Sequence, residues 1–335
     1  MTVHNRRMIL AERPKGMVDE RTVRLEEAPV PSAGPGQAVV AVRYLSIDPT
    51  IRAWMDDRPG YMAPIGLGEV VRSGGIAEVV ESSTSRYAPG DLVFGMTGWQ
   101  DFAVADEGPN AMQVIPPGVA PEVALNLLGV NGMTAYFGLL DVGRLQPGET
   151  VVVSGAAGAT GCVVGQIAKI KGAARVVGLA GTDEKCRWVV EGLGFDAAIN
   201  YREEEVARCL RAECPGGIDI YFDNVGGEIL DICLGQLALR GRVVLCGAIS
   251  IYNATAPPPG PANYPNLIVK RGRMEGFLVL DYLDRFAEAQ LEMIGWVGDG
   301  RVKTAEHVVE GLEHAVEALN MLFTGANTGK VMVRL

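Results

Sequence analysis

Apolar and polar positions change rhythm along the chain. From Arg21 to Val114 the apolar residues come in short runs, such as Ala38–Val42, the Gly68–Ser82 stretch and Asp91–Phe94. Pro35-Gly36, Arg58-Pro59-Gly60 and Pro89-Gly90 punctuate them. Closely spaced short strands with Gly/Pro turns predict a mostly β, barrel-like first part. Pro116-Pro117-Gly118 reads as a joint, and Pro121–Leu140 has helical character. Strand and helix then alternate. Strands are predicted at Thr150–Ser154, Arg175–Leu179, Ala197–Tyr201, Ile218–Asp223, Arg242–Cys246 and Met274–Leu280. Between them helices are predicted at Cys162–Lys171, at Asp183–Leu193 behind Thr182 as N-cap, at Glu203–Glu213 and at Leu230–Leu239. This alternation predicts a parallel, doubly wound sheet with right-handed crossovers. Pro257-Pro258-Pro259-Gly260-Pro261 reads as a stiff extended loop. Leu312, Ala315, Val316, Leu319, Leu322 and Phe323 keep helical spacing up to a stop at Gly325. Val331–Leu335 reads as a last strand that must join a sheet, and it is expected to return to the first domain.

Length and composition narrow the possibilities. A chain of 335 residues predicts two domains. The net charge of −10 disfavours a nucleic-acid or anionic-membrane partner, which would need a basic field. No apolar run is long enough for a membrane helix, and Met1–Leu10 lacks the apolar stretch of a secretory signal. A cytoplasmic location is expected. All six cysteines (Cys162, Cys186, Cys209, Cys214, Cys233 and Cys246) lie beyond residue 161, with no CxxC pair. The three histidines are His4, His307 and His314; the last two, if helical, would share a solvated face. No zinc centre of His and Cys is expected, nor a Ser-His-Asp machine with its histidine in mid-chain. The chemistry points to a borrowed cofactor.

After Thr150–Ser154 comes Gly155-Ala156-Ala157-Gly158-Ala159-Thr160-Gly161 and a helix. Gly158 would let backbone approach a pyrophosphate, Gly161 would allow close helix–sheet packing, and the helix N-terminus offers N–H groups to an anion. A merely tight strand–helix turn is the alternative; the βαβ units that follow favour the dinucleotide. An NAD site wants an acid at the end of the second strand, about 20 residues on. That end reads Gly178-Leu179-Ala180-Gly181-Thr182. Asp183 and Glu184 begin a helix, and Lys185 can meet a 2′-phosphate as a point charge. The pattern favours NADP(H) over NAD.

Ordered motifs across nearly the whole chain carry a family resemblance. They are Leu45-Ser46-Ile47-Asp48-Pro49 with Arg52, Gly98-Trp99-Gln100, Val151–Gly161 and Asp223-Asn224-Val225-Gly226-Gly227. Further on come Cys246-Gly247-Ala248-Ile249-Ser250 with Tyr252-Asn253, Arg273-Met274-Glu275-Gly276-Phe277, and Asn327 with Gly329-Lys330. The chain resembles the zinc-free medium-chain dehydrogenase/reductases, in particular the leukotriene B4 12-hydroxydehydrogenase / prostaglandin reductase group with its curcumin-reductase-like and alkenal-reductase-like members. The resemblance implies an α/β protein: a GroES-like β-barrel domain (residues 1–128 and 301–335) joined to a Rossmann domain (129–300), with NADPH in the cleft between them. It implies Ala157, Gly158, Ala159, Thr160 and Gly161 at the pyrophosphate, and Lys185 with Tyr201 at the 2′-phosphate. Asn224, Cys246, Gly247, Ala248, Ile249, Ser250, Tyr252, Phe277, Leu278, Val279 and Asn327 would line the rest of the cofactor. A homodimer through the Rossmann domain is also implied.

The missing metal shapes the expected reaction. Zinc-dependent relatives polarise a carbonyl with a metal; here the matching stretch reads Leu67-Gly68-Glu69. Hydride addition to the C=C of an enone or enal spreads charge into an enolate, which needs only hydrogen-bond donors. Tyr252 is the catalytic candidate, since a phenol stays protonated at neutral pH and donates; packing against the nicotinamide is its other role. Tyr61, Trp99 and Tyr264 are candidate walls of an apolar substrate pocket, with core or loop packing as the alternative. Arg52 is a candidate for an acidic substrate tail, with pairing to Asp48 or Asp56 as the competing role. Thr50 departs from the tyrosine usual after Asp-Pro, removing an aromatic wall or donor. The expected function is NADPH-dependent reduction of α,β-unsaturated aldehydes or ketones. A quinone reductase and a non-catalytic NADP-binding sensor remain as alternatives.

Overall fold

The computed structural model describes residues 4–108 and 111–335. Its strands, in chain order, are β1 (His4–Leu10), β2 (Val23–Pro29), β3 (Gln37–Ser46), β4 (Gly74–Ser82), β5 (Leu92–Met96), β6 (Phe102–Asp106), β7 (Gln113–Val114) and β8 (Thr150–Ser154). There follow β9 (Arg175–Ala180), β10 (Ala197–Asn200), β11 (Ile218–Asp223), β12 (Leu237–Leu245), β13 (Arg273–Gly276), β14 (Glu306–Glu310) and β15 (Lys330–Arg334). The chain divides into two units. One holds Met1–Leu125, Glu306–Asn327 and Val331–Leu335; the other holds Asn126–Ala305 and Thr328–Lys330.

The first unit is antiparallel. Its main sheet runs β14-β15-β3-β4-β5-β7, with β6 also on β3, and β1 pairs with β2. The C-terminal strand lies on β3 with Met332 opposite Ser46. That pairing answers the need of a lone terminal strand for a sheet. Val40, Leu45, Ile47, Ile51, Val71 and Trp99 fill the core.

The second unit is a parallel sheet in the order β10-β9-β8-β11-β12-β13. The chain winds outward from β8 to β10, then returns to β11 and winds the other way, so β8 and β11 flank the topological switch point. Open α/β sheets bind ligands outside the carboxyl ends of their strands at that point. Val151, Val152 and Val153 of β8 are fully buried, each contributing roughly 1.5–3 kcal/mol of apolar burial. Together the units are the GroES-like and Rossmann folds expected of the sequence.

Several elements differ from their predicted bounds. Helix Pro121–Leu140 is broken into Pro121–Asn126 and Val130–Phe137, and ends in a π turn over Gly138–Val142. The helix after the phosphate turn starts at Ala159, inside the Gly-rich segment, rather than at Cys162. The helix expected over Leu230–Leu239 spans Gly227–Leu234, and β12 already begins at Leu237. A register irregularity opposite Ile218/Ile220 and positive φ at Arg240 absorb the extra residues; the apolar run Leu237-Ala238-Leu239 alone does not distinguish helix from strand. The strand expected over Met274–Leu280 ends at Gly276. His307 lies on β14 and His314 in a 3-10 turn, so they share no helix face. Helix Phe286–Gly298 and strand β1 are structural additions to the sequence reading.

Candidate active site

Ala156 donates its N–H to Leu179 O at 3.0 Å, and Gly158 donates to Gly155 O at 2.9 Å, curling the chain between β8 and the Ala159–Ile170 helix. The first helix-type bond is Cys162 N–H to Gly158 O, 3.1 Å; the amides of Ala159, Thr160 and Gly161 precede it and have no intrahelical acceptor. Gly161 is dictated by packing: a Cβ there would stand 2.3 Å from Gly155 O. Gly158 sits at the N-cap in extended conformation, and Gly329 crosses beside the turn, donating to Ala157 O at 2.8 Å. The arrangement is an anion cradle of backbone amides at a helix N-terminus.

The end of β9 carries cations and a phenol. Thr182 caps the Asp183–Arg187 helix by accepting from the Lys185 N–H at 3.3 Å. Tyr201 follows β10 and donates its N–H to Ala180 O. At Gly181 a Cβ would lie 2.8 Å from the Tyr201 hydroxyl and 3.4 Å from Arg202 Nε, so both side chains close over the strand end. The Arg202 guanidinium stands 5.9 Å from the Tyr201 ring centroid. Burial first, and the Arg202 charge second, push the Lys185 pKa down. Two cations held close enough to repel are a fitting pair for a dianionic phosphate. Arg202 is the residue that sequence reasoning missed; its signal was a second cation directly after Tyr201. A cavity of about 560 Å³ adjoins, lined among others by Tyr201, Val225, Gly226 and Ser250, with Val206, Ile229 and Ile232 as apolar surface.

At the switch point Asn224 bridges β11 to β8, its Nδ2 donating to Ser154 O at 2.7 Å. The Cys246–Ser250 stretch hangs from the preceding turn. Cys246 and Gly247 donate to Asp223 O (2.9 and 3.0 Å), Ile249 to Asn224 O (3.3 Å) and Ser250 to Val225 O (3.1 Å). The Ala248 N–H donates to the Tyr252 hydroxyl at 3.2 Å, fixing the phenol above its own loop. Burial pushes the Cys246 thiol up to about 12, so it is a neutral lining group and no nucleophile at neutral pH. Phe277 packs inward, within 2.6 Å of where a Cβ on Gly138 would stand. Leu278 is partly exposed and Val279 buried. Asn327, in the other unit, is buried at 7% exposure.

The four candidate substrate residues fare differently. Trp99 is fully buried within the core of the first unit; this corrects its expected place on a pocket wall, since its ring offers no surface to a ligand. Arg52 takes the pairing role weighed beside the substrate one: it is 2% exposed, pairs with Asp56 at 2.7 Å and donates to Gly16 O and Pro14 O. Its guanidinium holds the 14–16 loop. Tyr61 is half exposed, hydrogen-bonded to Thr50 Oγ1 at 2.7 Å and edge-on to Trp54. A phenol therefore stands at Thr50 after all, supplied from eleven residues downstream. Tyr264 is 58% exposed on the proline loop, beside Asn263, whose N–H donates to Asp231 Oδ1 at 2.6 Å.

Among the described residues no group of three or more His, Cys, Asp or Glu side chains is gathered to hold a metal ion, and no helix is long and apolar enough to cross a membrane. Residues 6–114 match the family described as the N-terminal domain of oxidoreductase, and residues 159–295 match zinc-binding dehydrogenase. The chain is 43% identical to the NADPH-dependent curcumin reductase of Escherichia coli (strain K12), covering 99% of this chain and 97% of that protein. The chain belongs to the medium-chain dehydrogenase/reductase family. Within that family it is 39% identical to the 2-alkenal reductase (NADP(+)-dependent) of Nicotiana tabacum, over 99% of this chain and 97% of the relative. The crystal structure of CurA in complex with NADPH from Vibrio vulnificus superposes with a TM-score of 0.93 at 39% identity, covering 98% of each chain. For a medium-chain dehydrogenase/reductase, the side chains at the end of β9 are the informative ones: a lysine, an arginine and a phenol, with no carboxylate on the strand end itself.

Proposed function

We propose that this protein is an NADPH-dependent reductase of the C=C bond of α,β-unsaturated aldehydes or ketones. The observation that carries the cofactor half is the Lys185–Tyr201–Arg202 cluster at the end of β9, joined to relatives named for NADPH-dependent and alkenal reduction. The amides of Ala159, Thr160 and Gly161 would hold the pyrophosphate, and Lys185, Tyr201 and Arg202 the 2′-phosphate. The cavity beside Tyr201, Val225 and Ser250 would take the adenosine end. NADPH supplies a hydride for the β-carbon of the substrate.

The chain's own part in the reaction is to orient and to donate. Asn224 and the Cys246–Ser250 backbone form the wall at the switch point, and Phe277 closes the floor. Tyr252 donates a hydrogen bond to the substrate oxygen, where charge gathers as the enolate forms. Its phenol oxygen accepts from Ala248 N–H, which orients the ring while a phenol's own proton serves as donor. A full alkoxide would ask for a stronger electrophile than one phenol; a delocalised enolate does not.

Two finer features belong to this reading. The protein works as a homodimer: β13 is an outer strand of the six-stranded sheet, and Ile268 and Val269, just before it, are 78% and 64% exposed. An open edge beside exposed apolar side chains suits a second copy of the same sheet. It works in the cytoplasm, where its six free thiols would stay reduced.

The test is NADPH oxidation with a medium-chain 2-alkenal, with a quinone alongside, for the wild type and Tyr252→Phe. The saturated aldehyde is expected from the alkenal. The variant should lose roughly 100–1,000-fold in kcat with unchanged NADPH affinity. Alcohol as the sole product, or quinone turnover without alkenal turnover, would overturn the reading; full turnover by Tyr252→Phe would remove that residue's role.

A further inference from the structure

A buried carboxyl group with four hydrogen-bond donors lies under the candidate site. Asp223, the last residue of β11, is fully buried. Four donors converge on its Oδ1: the Tyr221 hydroxyl at 2.7 Å, the Ser154 hydroxyl at 3.2 Å, and the amides of Val225 and Gly226 at 3.0 and 2.8 Å. Gly226 turns its N–H back to this oxygen with φ +72°, a conformation that favours glycine. So many donors on one oxygen suit an acceptor-only carboxylate. Among the described residues Asp223 makes no ion pair, and its Oδ2 has no partner. The titratable groups facing it are Tyr221 on its own strand, Cys233 from the Gly227–Leu234 helix and Cys246 after β12. All three are pushed up by burial and stay neutral, so none offsets the charge.

Consecutive carbonyls of the turn held by this carboxylate carry the next segment. Asp223 O accepts from Cys246 and Gly247, Asn224 O from Ile249, and Val225 O from both the Ser250 amide and its hydroxyl, the last at 2.6 Å. Ala248, in the middle of that segment, holds the Tyr252 phenol.

We infer that Asp223 is a positioning residue: its buried carboxylate locks the 223–227 turn into the shape from which the Cys246–Tyr252 segment hangs, and so preorganises the cofactor wall and the candidate donor. This rests on the function proposed above.

A charge kept without a counter-ion costs stability. Burial raises the Asp223 pKa against the pull of its hydrogen bonds, so the folded state holds the proton more tightly than the unfolded one. Stability therefore falls as pH rises from the ordinary carboxylate value to the folded one. Asp223→Asn keeps an acceptor at Oδ1 and puts its amide nitrogen where Oδ2 has no partner.

The experiment measures NADPH Kd by fluorescence titration across pH, and the thermal midpoint, for the wild type and Asp223→Asn. The expected result is a midpoint at pH 7 equal to or above wild type, with a Kd about tenfold weaker, because neutral acceptors hold the turn less firmly. The wild type should also lose affinity as pH falls through the Asp223 titration, a limb missing in the variant; titration of the 2′-phosphate is common to both. An unchanged Kd, or a midpoint that falls along with affinity, would overturn the inference. If Asp223→Asn does not fold, Tyr221→Phe removes one donor and should weaken Kd a few-fold and move the acid limb of NADPH binding to higher pH; wild-type affinity with a wild-type pH profile there would overturn it equally. A wild type that binds no NADPH would instead overturn the cofactor reading, and this inference with it.

Discussion

In the proposed function, selection between the two nicotinamide dinucleotides falls to three side chains. Lys185 is legible in the sequence as soon as the second strand ends without an acid. Tyr201 enters through the family resemblance. Arg202 becomes a partner only when the sheet order puts the end of β10 beside the end of β9, and no spacing rule in one sequence supplies that adjacency. Arg52 and Trp99 each carry two readings in the sequence. Both stand in recognisable motifs, yet burial gives one to a loop and the other to a core. A motif preserves a residue type without saying whether its side chain meets ligand or packing. Charge-assisted contacts to phosphate contribute about 1.5–3 kcal/mol each. Lys185→Ala and Arg202→Ala should therefore each raise the KM for NADPH roughly tenfold or more and leave the KM for NADH unchanged. Parallel steady-state kinetics with both cofactors check this, and equal losses for both would remove the two residues from 2′-phosphate recognition.

Among the elements, strands were the most legible, because β-branched runs such as Val151-Val152-Val153 are buried on both faces and bounded by turns. Ile218–Asp223 has the same bounds in sequence and structure. Helices were less so. Phe286–Gly298 is amphipathic only weakly, with Leu291 and Ile294 exposed among its apolar residues, so no clear stripe marks it. Segment Leu237–Leu245 carries apolar residues before its bulge that suit either period. The phosphate turn shows how a single position couples strand to helix. With Gly155 O only 2.3 Å from an added Cβ, Gly161→Ala must push the helix N-terminus off the turn. Overpacking of this kind costs roughly 1–3 kcal/mol. The expected outcome is a lower thermal midpoint together with lost NADPH binding, read by thermal unfolding with and without cofactor; a variant that still gains midpoint from NADPH as the wild type does would contradict it.

For the whole molecule, an acidic chain of 335 residues folds as two units of different class, and the C-terminal strand returns to the sheet of the first. Scarcity of histidine and late placement of cysteine suggested from the sequence a reaction without a protein-bound metal. The thiols support the same division of labour: Cys214 and Cys246 are pushed up to about 11 and about 12 by burial, which suits packing and not redox sensing. In the proposed reaction hydride reaches the carbon β to a carbonyl. Its most direct test is a single turnover of a 2-alkenal with NADPH deuterated at the transferable C4 position, followed by mass spectrometric and NMR analysis of the product. The expected product is a saturated aldehyde carrying deuterium at Cβ, with the α-proton drawn from solvent. Deuterium at C1 of an unsaturated alcohol would contradict it.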